Sequence, residues 1–409
     1  VTTVHRGHFS RDDRAAEPYR YLPVDVPPGA AGLTVTLRYD GSAGVLDLGC
    51  FGPAGFRGWS GSARGGFAIG ATTATPGYLP GPLEPGVWQV LLGLHRVGAG
   101  GLGWEVTAAA GRAEPQLPAE PSQPAAAPAP DQARRRLPAT SGLRWLAGDL
   151  HAHTVHSDGA LTVDELARLG RQRGLDFLAV TDHNTVSHHA GLAAASARTE
   201  LILLPGQEVT TAAGHANVLG DVGWIDFRQP ADDWLAQAER GGGLLSVNHP
   251  LAGDCAWRQP MSRRPRHAEI WHWSWLERRW GGPLAWWQAF DPELIPLGGS
   301  DFHRPGSDAL PGAPTTWVGC EASRVDSGDA VGALLAGLRS GRVAVSAGYA
   351  DPVLLRVDGD FVAVGADGLL LADAAGRRTP IRCDLATLPA APGPAWLADH
   401  DTAVIALAR

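Results

Sequence analysis

"GDLHAHTVHSDG", residues 148–159, places three histidines and two aspartates within twelve positions. Imidazoles and carboxylates are the side chains that ligate zinc, manganese and iron. A solvated polar turn would also account for the run, so its surroundings decide. Before it stands the apolar "RWLA" (144–147). After it comes "TVDELARLGRQRG" (162–174), with apolar residues at helical spacing. The stretch therefore reads as the polar end of a strand that leads into a helix.

The same order recurs downstream. "LDFLAVTDHN" (175–184) precedes an Ala-rich helix near 188–198, and "LILLPGQEVTT" (201–211) is followed by "HANVLGD" (215–221). A helix at "ADDWLAQAERGG" (231–242) leads to "GLLSVNHP" (243–250), and "AEIWHW" (268–273) and "LIPLGGSDFH" (294–303) complete the series. Nearly all-apolar strands alternating with helices indicate a parallel α/β architecture. About seven such strands point to a barrel over an open sheet. The ligand-type residues fall at the strand ends: His151 and His153, Asp182 and His183, Glu208, His249, then Asp301 and His303. His215 begins or precedes the fourth strand. In a parallel barrel these ends share one face, where active sites lie. A mixed His/carboxylate set suits zinc, manganese or iron, and carboxylates that bridge ions favour a multinuclear site.

The flanking regions differ in kind. Residues 1–110 hold short apolar runs, "YLPVDVPP", "GLTVTLRYD" and "GVWQVLLGLH" among them, separated by Gly and Pro, the pattern of a small antiparallel β-sandwich. Residues 111–140 are Pro/Ala-rich and read as a linker. The barrel is assigned to 141–350, and 351–409 returns to short strands as a small C-terminal β extension.

Composition removes several function classes. The net charge is -8, every basic residue is Arg, and the one Arg run (134–136) lies in the linker, so a nucleic-acid partner is not expected. The Arg-for-Lys bias is that of a GC-rich bacterial genome. No apolar run of membrane-spanning length occurs and the first residues lack a signal-peptide pattern, which sets the expectation of a cytoplasmic protein with no membrane partner. The four scattered cysteines, Cys50, Cys255, Cys320 and Cys383, form neither a zinc ribbon nor a disulfide framework and read as reduced thiols.

"DLHAHTVHSDG", "TDHN", "GQEVTT…GH", "NHP" and "SDFH" occur in this order, and with them the chain resembles the PHP (polymerase and histidinol phosphatase) superfamily over roughly 145–350. The upstream β region, "SDFHRP" (300–305) and "SGRVAVSAG" (340–348) resemble its carbaryl-hydrolase-type (CehA/McbA-like) branch most. The resemblance implies a distorted (β/α)7 barrel holding two or three divalent ions (Zn, Mn or Fe). It also implies their ligands. His151, His153 and Asp301 hold the first ion, with Glu208 bridging to a second held by His215 and His249. Asp158, His183 and His303 hold the third. His156, two residues before Asp158, competes for that role; the "SDG" context favours Asp158.

Other residues carry two readings each. Asp149 and Asp182 read as residues that orient a ligand. Arg304 either stabilises an anionic transition state or is a surface arginine. The Trp-rich "WHWSWLERRWGGPLAWW" (271–287) is either an aromatic substrate wall or helix and loop packing. His188, His189 and His267 read as surface residues. The function these readings converge on is hydrolysis of a small organic phosphate mono- or diester by a metal-bound hydroxide, with Glu208 and Asp301 at its centre. The alternative is a carbamate or carboxylic ester hydrolase. A nuclease and a non-catalytic binding protein rank below both. No partner of the N-terminal region is readable.

Overall fold

The computed structural model of the chain describes residues 1–117 and 135–409. Of the linker, residues 118–134 lie outside the described residues. The chain divides into two compact units.

The first unit is built on eight strands: β1 (Thr2–Phe9), β2 (Tyr19–Val26), β3 (Gly32–Tyr39), β4 (Gly44–Gly52), β5 (Gly55–Gly61), β6 (Gly66–Gly70), β7 (Gly86–Val97) and β8 (Leu102–Gly111). They form two four-stranded antiparallel sheets, in the orders β1-β8-β3-β6 and β2-β7-β4-β5. In β3, Leu33, Val35 and Leu37 are buried while Thr34, Thr36 and Arg38 are exposed, the two-residue period of a strand with one solvated face. These residues share one apolar core with Leu46, Leu48, Trp88, Val90 and Val106, so both sheets contribute to it. The indole of buried Trp88 donates to the Glu84 carbonyl at 2.9 Å, which removes the cost of burying a polar atom.

Two later segments, Val155–Thr162 and Asp182–His188, cluster with this first unit. Sequence reading places both in the barrel. Both segments hydrogen-bond to turns of the N-terminal sheets, through Arg64 and Gly77.

The second unit follows the expected alternation. Its elements are β9 (Leu143–Asp149), α1 (Val163–Gln172), β10 (Phe177–Val180), α2 (His189–Thr199), β11 (Ile202–Thr211), β12 (Gly214–Leu219), α3 (Ala231–Arg240), β13 (Leu244–Val247), β14 (His267–His272), α4 (Gly282–Phe290), β15 (Ile295–Gly299) and β16 (Thr315–Glu321). Helix α1 buries Leu166, Ala167 and Gly170, one face at i, i+1 and i+4. β9, β10 and β11 are parallel, as are β13, β14 and β15. β12 is antiparallel to both neighbours. Only Ala212 and Ala213 separate β11 from β12, too few residues for the crossover that a parallel pair needs.

The strands form one thirteen-stranded sheet, so the closed (β/α)7 barrel read from the sequence is not established by the ladder. β16 pairs antiparallel with β9 along its length. The first and last parallel strands meet only past their ends: the Asp301 N–H donates to the His151 carbonyl at 3.0 Å, and the His153 N–H to that of Phe302 at 2.9 Å. Hydrophobic periodicity reports which residues face a core; it does not report which strand pairs with which. The tail likewise joins the large sheet. Of its strands, Leu370–Asp373, Arg378–Pro380, Ala395–Ala398 and Val404–Ala408 extend the sheet, and Val353–Val357, Asp360–Val364 and Leu385–Pro389 form a separate three-stranded sheet. Among the described residues no helix is long and apolar enough to cross a membrane.

Candidate metal centre

His151 and His153 stand two residues apart just beyond β9, so their side chains leave on the same side of the extended chain. Both are buried, and their Nε2 atoms lie 3.1 Å apart. Asp301, just beyond β15, brings Oδ1 to 3.0 Å from the His153 Nε2 and 3.2 Å from that of His151. Three ligand atoms thus converge from two strand ends.

Glu208 lies within β11 and is fully buried. Its Oε1 is 3.1 Å from the His215 Nδ1, 3.2 Å from the His249 Nε2 and 3.4 Å from the His151 Nε2. Its Oε2 is 3.6 Å from the His153 Nε2. One carboxylate therefore faces both histidine pairs. The β11–β12 hairpin makes this possible. Because β12 runs backwards, its first residues sit beside the last residues of β11, and His215 pairs with Thr210. Asn248 donates its amide to Glu208 Oε1 at 2.8 Å and fixes the carboxylate's rotamer.

Sequence reading missed Glu269. It is buried in β14, with Oε1 2.7 Å from the His151 Nδ1 and Oε2 accepting the His249 N–H at 2.9 Å. A carboxylate on the second ring nitrogen sets the tautomer and orientation of a ligating imidazole. The available signal was an acidic residue inside the otherwise apolar strand "AEIW". Gly299 makes room for it: a Cβ there would stand 2.2 Å from Glu269 Oε1.

The residues fit divalent ions. The ligand atoms of His151/His153/Asp301, of Glu208/His215/His249 and of His151/His249/Glu269 each lie within 4.8 Å of one another. The charge balance agrees with the geometry. Burial lowers the affinity of His151 for a proton, yet Glu269, Asp301 and Glu208 raise its pKa well above the ordinary value. His249 is raised to about 10, with burial opposed by hydrogen bonds to Cys255 and Glu208. Burial pushes the Asp301 carboxyl up, but His151 and His153 outweigh it and hold it far below the carboxylate range. Buried anionic oxygens that draw protons onto imidazoles mark a place where a cation is stabilised. His249 and Asp301 also adopt left-handed backbone conformations, φ 25° and 53°, a strained state that clusters at functional sites.

Asp158 and His183 belong to the first unit, where the His183 Nε2 is 3.6 Å from Asp158 Oδ1. His156 turns elsewhere, with Nδ1 2.7 Å from the Ser187 hydroxyl. Asp158→Ala should therefore lower turnover of the metal-loaded protein at least tenfold more than His156→Ala, measured on the same substrate; the reverse order would give the ligand role to His156. His303, in the second unit, stacks on His153 at a ring distance of 4.2 Å. Arg304 after it is exposed.

The remaining expectations divide. Asp149 orients backbone and not an imidazole: its Oδ1 accepts the His151 and Ser300 N–H groups at 3.1 Å each, and its Oδ2 that of Gly312 at 2.8 Å. Asp182 is held by the Ser157 hydroxyl at 2.7 Å and lies 3.2 Å from the His188 Nδ1. His188 and His267 are buried, contrary to the surface reading, and His189 lies 2.9 Å from the Gly206 carbonyl. His267 Nε2 lies 3.1 Å from the Leu338 carbonyl, and burial lowers its pKa to about 4. Single polar residues in mixed segments carry no periodic signal, which is why their burial was not legible. The Trp-rich segment splits: Trp271, Trp275 and Trp287 are buried, whereas Trp273 and Trp280 are 44% and 75% exposed. All four cysteines are free thiols.

No family model matches the chain. Over 70 residues it is 41% identical to a 3',5'-nucleoside bisphosphate phosphatase of Chromobacterium violaceum, 17% of this chain. Over that span it is similar to a phosphatase. The aligned region is a quarter (25%) of the relative's length. Among solved structures, it aligns with a two-domain protein from Bacteroides vulgatus containing a predicted PHP-like metal-dependent phosphoesterase, at 17% identity and a TM-score of 0.41. That alignment covers 68% of this chain and 92% of the other. An amidohydrolase from Chromobacterium violaceum with bound sulfate and no metal aligns at 20% identity and a TM-score of 0.30, over 40% of this chain and 89% of that one.

Proposed function

We propose that this chain is a PHP-type metal-dependent hydrolase that cleaves a small organic phosphate mono- or diester. The observation that carries the reading is the buried Glu208 carboxylate, within 3.4 Å of His215, His249 and His151. A carboxylate so placed is built to span two cations. Divalent ions there would acidify a water molecule and neutralise charge on the phosphoryl oxygens. The chain's own residues do the rest. His151, His153 and Asp301 form one ligand set, and Glu208 links it to His215 and His249. Glu269 orients His151, and Asn248 holds Glu208. Asp158, His183 and His303 are assigned to a third ion, and Arg304 to the anionic group of the substrate.

The relative over 70 residues is a phosphatase, which supports the phosphate ester over the carbamate or carboxylic ester. The carbaryl-hydrolase-type branch rests on the upstream β region, "SDFHRP" and "SGRVAVSAG" alone. A panel of phosphate mono- and diesters beside aryl carbamates and esters, run on metal-reconstituted protein, tests the assignment. Turnover confined to carbamates or esters would overturn it. Metal content is a separate test: protein purified without chelator should hold at least two equivalents of zinc, manganese or iron by elemental analysis. One equivalent or fewer after reconstitution would remove the multinuclear site.

A further inference from the structure

Asp158 and His183 lie on two loops, Val155–Thr162 and Asp182–His188, that the chain's contacts group with the N-terminal sheets. Those sheets supply a clamp for each loop. Arg64, in the turn between β5 and β6, donates Nη1 to the Ser157 carbonyl at 3.0 Å and Nη2 to that of Val155. The two carbonyls flank His156 and lead into Asp158, and a guanidinium fork suits such paired acceptors. Gly77 holds the other loop. Its N–H donates to the Ser187 hydroxyl at 3.0 Å, and its carbonyl accepts the Thr185 hydroxyl at 2.8 Å and the Trp59 N–H at 3.0 Å.

Two features join the clamps. Ser187 Oγ also lies 2.7 Å from the His156 Nδ1, and the Ser157 hydroxyl donates to Asp182 at 2.7 Å, so the loops are tied to each other. Gly77, at φ +99°, touches backbone on both sides: a Cβ there would come 2.7 Å from the Trp59 carbonyl oxygen and 2.8 Å from that of His156.

We propose that Arg64 and Gly77 are positioning residues that hold Asp158 and His183 within reach of one cation. This rests on the metal-dependent reading above. Short loops whose ligands sit 25 positions apart have no ladder of their own to fix that spacing. The arginine fork and the glycine contact supply it.

The experiment uses the full chain equilibrated with Mn2+ alone, with bound equivalents counted by elemental analysis and affinity read by titration. Asp158→Ala defines the ion in question. Arg64→Ala is expected to lose that same equivalent, or to bind it at least tenfold more weakly, while the other ions stay. Arg64→Lys, which keeps the charge but not the fork, is expected to fall between it and the wild type. Val35→Ala, in the sandwich core, should lower the melting temperature and leave Mn2+ binding unchanged. If Arg64→Ala does not fold, Ser187→Ala, which removes only a hydroxyl, takes its place with the same expected direction.

Three results overturn the proposal. Wild-type stoichiometry and affinity in Arg64→Ala would do so while leaving the metal reading intact. Equal loss of the ion in Val35→Ala would reduce Arg64 to a general stabiliser of the sheets. Identical ion counts in wild type and Asp158→Ala would remove the site itself, and the failure would then lie with the metal-dependent reading.

Discussion

Glu208→Gln should reduce turnover of the best substrate by at least about a hundred- to a thousandfold, while the protein stays folded. Gln keeps the shape, and its carbonyl oxygen retains the Asn248 amide at the Oε1 position, so the rotamer survives. What disappears is the negative charge that faces His215, His249 and His151 from one oxygen and His153 from the other. Loss of one transition-state contact typically costs roughly 3–4 kcal/mol, or about a hundred- to a thousandfold in rate. Here one substitution disturbs both ligand groups together, so the loss should reach or exceed that range. The fold should persist because the neighbouring strands are held by apolar packing, with Val209, Ala216, Val218, Leu245 and Val247 buried on β11, β12 and β13. The measurement is kcat with thermal melting as the control. Near-wild-type turnover in a well-folded variant would eliminate the bridging role.

Asp301→Asn should be the second most damaging change, lowering kcat about a hundredfold or more by removing one charged ligand atom. Its oxygen sits 3.0 Å from His153 and 3.2 Å from His151, and the two imidazoles hold that carboxyl ionised despite its burial. The choice of Asn follows from the backbone. At φ 53° Asp301 is in the left-handed region, which Asn tolerates and Ala does not. Asp301→Ala should therefore add a stability loss of about 1–2 kcal/mol to the same catalytic defect. A melting curve for each variant separates the two effects. Equal melting points for Asn and Ala would refute the backbone argument, and retained metal with full turnover in Asp301→Asn would refute the ligand argument.

Much of the second unit is legible in the amino-acid sequence. α1, α2 and α3 begin and end close to where apolar spacing placed them, and β9 to β11 and β13 to β15 match their apolar runs. Of the six ligand-type residues that meet there, His151, His153, Glu208, His249 and Asp301 were named from strand ends and His215 from the start of the fourth strand. Those signals are local. A strand's apolar run and the polar residue that ends it are neighbours in the chain, so the pattern survives without knowledge of partners.

What the sequence by itself determined, then, was the inventory: which segments are strands and helices, and which side chains carry metal-ligating chemistry at their ends. Only the tertiary structure decided how they meet. It placed β12 backwards beside β11, which brings His215 to Glu208. It set Glu269 against His151 across 118 positions, over a glycine that leaves room for the carboxylate. It buried His188 and His267, and it grouped the Asp158 and His183 loops with Arg64 and Gly77 of the N-terminal sheets. Each of these is a pairing between distant segments, set by packing and hydrogen-bond satisfaction in three dimensions, and periodicity along one segment carries no record of the other.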